Sequence, residues 1–145
     1  MRTLPRISLC LLLLTSPSLA AAELHEVRML NKSASGPMSY EPGYLKIAAG
    51  DSVRFVATDK SHNVETIAKM LPEGATPFKG DLNEEIEVTF DVEGIYGLKC
   101  APHYAMGMVM IVQVGDAPAT LEDLPAKLPS RTRKRLIGYV QAQAE

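Results

Sequence analysis

"GIYGLKCAPHYAMGMVMIVQV", Gly94 to Val114, sets two apolar runs on either side of a short loop bent by a proline. Ile95 to Cys100 reads as one strand and Met108 to Val114 as another. The second is almost continuously apolar and therefore central in its sheet. At the junction Cys100, His103 and Met108 follow the spacing Cys-x2-His-x4-Met. A strand-loop-strand hairpin of this size turns a thiolate, an imidazole and a thioether toward one point.

The same strand pattern recurs upstream. Glu23 to Leu30 mixes apolar and charged residues as a first strand would. Tyr44 to Ile47 and Ser52 to Ala57 flank the turn "AAGD", and Val53, Phe55 and Ala57 alternate with Arg54 and Val56. In Glu85 to Phe90, Ile86, Val88 and Phe90 share one face, before the turn "DVEG". Period two means a strand with one buried face, and several short strands between Gly, Pro and Asp turns predict an all-β antiparallel sandwich.

The turn-rich interval Lys69 to Asp81 reads as a surface loop with room for a single helical turn. After Gly115 the pattern becomes helical. Thr120 and Asp123 resemble a capping box, and Pro125 interrupts any long continuation of that first helix. Ser130 then caps a better helix with Leu136, Ile137, Val140 and Ala144 in one stripe and Arg131, Arg133, Lys134 and Arg135 around its start. Packing on the sandwich accounts for that stripe. A membrane-surface helix is the alternative, disfavoured because its basic residues gather at one end instead of along a face.

At the other terminus Arg2 and Arg6 precede the apolar run Ile7 to Leu14, and small residues follow, as in a secretory leader. Residues 1–22 are read as that signal peptide, cut after Ala22 or at nearby Ala20. Residues 23–115 form the sandwich and 116–145 a helical extension on the same domain. Cys10 leaves with the leader, so the exported chain retains Cys100 alone, without a disulfide partner in an oxidising compartment. The formal charge of −2 becomes −4 once Arg2 and Arg6 are removed, which argues against nucleic acid as the main partner.

Taken singly, Cys100 and Met108 are most often core residues. Their joint spacing, together with a histidine in a sandwich-end loop, says otherwise. Of the three histidines, His62 lies in "DKSHNVET", just past a strand end, whereas His25 has no such context and reads as a surface or structural residue. Two imidazoles, one thiolate and a weak thioether are the ligand set of a blue copper site. Zinc favours Cys/His sets, and thioether serves it poorly. With every strong position taken by protein, no site stays open for substrate, so one-electron transfer is expected and enzymatic activity is not.

"YGLKCAPHYAMGMV", "EVRMLNK", "DKSHNVE" and the helical tail together resemble the cupredoxins, and within them the pseudoazurin branch, over essentially the whole exported chain. Plastocyanins share the loop spacing but lack the tail. The resemblance implies an eight-stranded Greek-key sandwich with one copper ion at one end, bound by His62, Cys100, His103 and Met108. It also implies that Asn63 helps to hold the thiolate; capping its own loop is the competing reading of that residue. Around His103, Pro102, Tyr104 and Met106 form a low-charge docking surface that Met38 extends, and Lys32, Lys60, Lys79 and Lys99 form a basic rim. The family context implies a periplasmic, monomeric carrier, free of the membrane after processing, that delivers electrons to redox partners such as a nitrite reductase. A copper chaperone or storage module and a plastocyanin-like carrier are the alternatives. Arg28 departs from the family, whose members often carry histidine there.

Overall fold

The computed structural model describes residues 21–144; the leader assigned to residues 1–22 therefore lies almost wholly outside the described residues. Eight strands form two four-stranded sheets: β1 Leu24–Ser33, β2 Gly36–Glu41, β3 Tyr44–Ile47, β4 Ser52–Val56, β5 Glu65–Thr66, β6 Ile86–Thr89, β7 Gly94–Lys99 and β8 Val109–Val114. One sheet has the order β2-β1-β4-β6 and the other β3-β8-β7-β5. The sandwich is the expected one with one difference in pairing. β1 runs parallel to β4 and β3 parallel to β8, because the chain crosses between sheets before returning beside an earlier strand.

The alternating residues fall where their pattern places them. Val27 and Met29 of β1, Val53 and Phe55 of β4, and Phe90 just after β6 are buried between the sheets, with Tyr96 and Leu98 of β7 opposite. Phe90 meets Tyr96 edge-on at 4.9 Å between ring centroids, a favoured aromatic arrangement. β8 is buried along its whole length. Its even residues, Met110, Val112 and Val114, enter the inter-sheet core, with Met108 just ahead of the strand. Its odd residues Val109 and Ile111 face outward into a second core formed with the tail. A strand covered on both sides has no polar face to show, which explains its nearly unbroken apolar sequence, with the hydrogen-bonded Gln113 the one polar residue in it.

The tail begins with a single 3-10 turn, Leu121–Asp123, where the Asp123 carboxylate accepts both the backbone N–H and the hydroxyl of Thr120. The helix α1, Ser130–Ala142, comes next. Ser130 is its first residue and not its cap. Pro129 precedes it in extended geometry and takes the Arg133 N–H on its carbonyl. Leu136 and Val140 are buried against β8 as the stripe predicts, while Ile137 is half-buried and Ala144 lies exposed past the helix end. No helix among the described residues is long and apolar enough to cross a membrane.

Two strands have no clear counterpart in the sequence pattern, β2 and the two-residue β5. The Lys69–Asp81 interval is a loop of turns without a helical turn, and it is anchored, since Met70 is buried. Met70 packs where Gly97 of β7 lacks a side chain; a Cβ there would collide with its sulfur. His25 takes the structural role. Its Nε2 pairs with the buried Asp51 carboxylate at 3.0 Å, far along the sandwich from Cys100.

Candidate metal centre

Four segments converge at one end of the sandwich. β7 ends at Lys99, delivering Cys100, and β8 begins at Val109, just after Met108. Between them Ala101–Met106 form a 3-10 turn with a kink at His103, opened by Pro102 and closed by Gly107 in the left-handed region at φ 89°. The turn is tied at its neck: Cys100 N–H bonds to Met108 O at 3.0 Å and Met108 N–H to His103 O at 3.1 Å. The segment between β4 and β5 supplies His62.

The donor atoms of the three residues face one another. His62 Nδ1 and His103 Nδ1 are 3.2 Å apart, and Cys100 Sγ lies 3.8 Å from the first and 3.5 Å from the second. A point equidistant from these three atoms is about 2.0 Å from each, close to the roughly 2.0–2.3 Å of metal bonds to imidazole and thiolate. The residues present therefore fit a single small ion. Cys100, His62 and Met108 are fully buried at 0%, and the His103 ring is half-buried at the surface. Cys100 has no disulfide partner among the described residues.

The surrounding groups keep His62 in its metal-binding form and oppose ionisation of the Cys100 thiol. His62 donates its Nε2–H to Asn31 Oδ1 at 3.0 Å, which fixes the tautomer and leaves the Nδ1 lone pair facing inward. Burial, and then the His103 ring, hold His62 below the usual imidazole range, so it stays neutral. Burial pushes the Cys100 thiol up, opposed by the backbone N–H groups of Asn63 and His103. A cation placed among these donors releases that proton, so binding and deprotonation are linked.

Asn63 does not cap its own loop. Its Oδ1 accepts the Ala101 N–H at 2.8 Å, and its Nδ2 donates to Gly80 O at 3.0 Å, so one amide ties the His62 segment to the cysteine loop. Tyr40 adds a bond from its hydroxyl to Asn63 O at 2.7 Å. The roles of Asn31 and Tyr40 have no signal in the sequence beyond the presence of a polar group.

Pro102, Ala105 and Met106 are exposed beside His103, while Tyr104 and Met38 are half-buried. Lys32 and Lys60 are exposed. Lys99 and Lys79 both face Glu65, at 3.2 Å and 3.9 Å, and the Lys99 ammonium lies 4.8 Å from the Tyr104 ring centroid. Among the described residues Lys32 and Lys60 make no ion pair, whereas Glu65 partly neutralises Lys79 and Lys99. Arg28 pairs with Glu41 on the neighbouring strand.

Residues 27–115 match the family model described as copper binding proteins of the plastocyanin/azurin family. The pseudoazurin of Paracoccus pantotrophus is 50% identical over 127 residues, 87% of this chain and 86% of that protein. The crystal structure of pseudoazurin from Methylobacterium extorquens AM1 superposes with a TM-score of 0.77 at 45% identity, covering 84% of this chain and 99% of that one. Native pseudoazurin from Hyphomicrobium denitrificans gives 0.74 at 45% identity, over 82% and 97%.

Proposed function

Because the chain belongs to the plastocyanin/azurin family of copper-binding proteins, in its pseudoazurin branch, we propose that it is a periplasmic electron carrier in which His62, Cys100, His103 and Met108 hold the single copper ion. The observation that carries this reading is the convergence of Cys100 Sγ with two imidazole Nδ1 atoms in a buried pocket. Copper, when bound, supplies a one-electron couple; the thiolate and thioether favour its reduced state and the imidazoles serve both states. The chain's part is to keep the donors in place. Asn31 orients His62, Asn63 locks the cysteine loop, and the neck bonds between Cys100 and Met108 prevent the loop from opening. Full burial of Cys100 and Met108 favours a resident ion over a delivered cargo.

The His103 ring reaches the surface among Pro102, Ala105 and Met106, which gives the electron a short exit and a partner an apolar landing. Lys32, Lys60, Lys79 and Lys99 steer an acidic partner, a nitrite reductase in the family's setting. The leader assigned to residues 1–22 directs export. Cleavage after Ala22 places the new Glu23 ammonium at the Asp51 carboxylate, where the Glu23 nitrogen already lies 2.8 Å from Oδ1.

The test is stopped-flow oxidation of the reduced protein by a copper nitrite reductase over a salt series. Reoxidation follows a single exponential that slows as salt rises, and Lys99→Glu lowers the low-salt rate by about tenfold. Rates indifferent to both would remove the basic rim from the account.

A further inference from the structure

Arg135 of α1 reaches across two segments that are not otherwise its neighbours in the chain. Its Nη1 donates to Gly107 O at 2.7 Å and to Met38 O at 2.6 Å, and its Nη2 to Pro37 O at 2.9 Å and Ser35 O at 3.5 Å. No carboxylate pairs with this guanidinium among the described residues; backbone carbonyls take all of its bonds. A planar fork suits that task and an ammonium does not. One turn earlier on the helix, Thr132 donates its hydroxyl to Tyr104 O.

The two carbonyls on Nη1 are at special points of the backbone. Gly107, at φ 89°, is the hinge between the 3-10 turn and Met108, and a Cβ there would come 3.1 Å from Arg131 O. Met38, at φ 48°, is a non-glycine residue in the left-handed region, a conformation that needs support from its surroundings. One side chain therefore holds the hinge before Met108 and the turn that presents Met38 at the docking face.

We propose that Arg135 is a positioning residue for the metal loop: its guanidinium clamps the Gly107 carbonyl to the Met38 turn and thereby fixes Met108 and the docking face together. The proposal rests on Met108 being a ligand. It gives the helical tail a part in the site that packing on β8 alone does not.

Arg135→Met keeps the aliphatic stem and removes the fork, and Arg135→Lys restores charge without the fork. In the metal-free full chain, hydrogen exchange at the Gly107 and Met108 amides accelerates by at least about tenfold in Arg135→Met, the loss of a charge-assisted hydrogen bond. Amides of β4 stay unchanged, and Arg135→Lys falls between. In the copper(II) form the intensity ratio of the thiolate charge-transfer bands shifts in the same order. Unchanged exchange at Gly107 and Met108, or equal acceleration throughout β4, would overturn the clamp. Localised acceleration in a protein whose copper(II) form lacks any thiolate band would overturn the copper-thiolate reading of the site, and with it the ligand set that includes Met108, instead of the clamp.

Discussion

At the scale of single residues, polar groups lock the copper-end loops and the opposite end of the sandwich alike. Asp51 is the clearest titrating case. Its buried carboxylate accepts the Glu23 N–H, the His25 ring and the Ala48 N–H, and these bonds hold its pKa below the ordinary carboxylate range. A folded-state value below the unfolded one, about 3.9, means the contribution to stability is complete above that pH. It is lost as pH falls through the lower folded value. Urea midpoints measured from pH 6 down to pH 2 should thus fall more steeply for the wild type than for Asp51→Asn, the two curves converging in acid. Parallel curves would show that Asp51 contributes no proton linkage.

At the scale of elements, β8 organises the molecule because it is buried on two sides. Its inner face builds the sandwich core and its outer face requires a cover, which α1 provides through Leu136 and Val140. Leu136→Ala should cost about 2–5 kcal/mol in equilibrium unfolding of the copper-free protein, since Leu136 is fully buried. A loss below about 0.5 kcal/mol, the scale of an ordinary surface substitution, would mean that the helix lies on the sheet without packing. Much of this level is legible in the sequence. The period-two strands, the nearly continuous apolar run of β8 and the amphipathic tail each carry their burial pattern locally. β2 is hidden because Gly36 and Pro37 open it and Ser39 is buried in it, which breaks the apolar alternation. The parallel pairings of β1 with β4 and β3 with β8 join distant segments, and no local pattern records them.

The site divides along the same line. Cys100, His103 and Met108 lie in one hairpin, so their spacing alone brings them together. Asn31 and Arg135 are not legible, because each acts through polar contacts far along the chain: 31 residues from Asn31 to His62 and 97 from Arg135 to Met38. Polar residues of these types occur on any surface, and only the fold distinguishes the ones that hold a ligand or a hinge.

For the molecule as a whole, the division of labour is between a β frame and one end where short loops gather two buried donors and the half-buried His103 around a common point. On the proposed function, the frame limits rearrangement between oxidation states, and the half-exposed His103 edge links the interior to the surface around Pro102, Ala105 and Met106. The measurement that tests this most directly is a spectroelectrochemical titration of the copper-loaded protein beside Cys100→Ser. The wild type should show an intense thiolate-to-copper(II) band that bleaches and returns in a reversible one-electron step with copper retained, and Cys100→Ser should lack that band. A colourless copper(II) form of the wild type, or release of copper on reduction, would contradict the account.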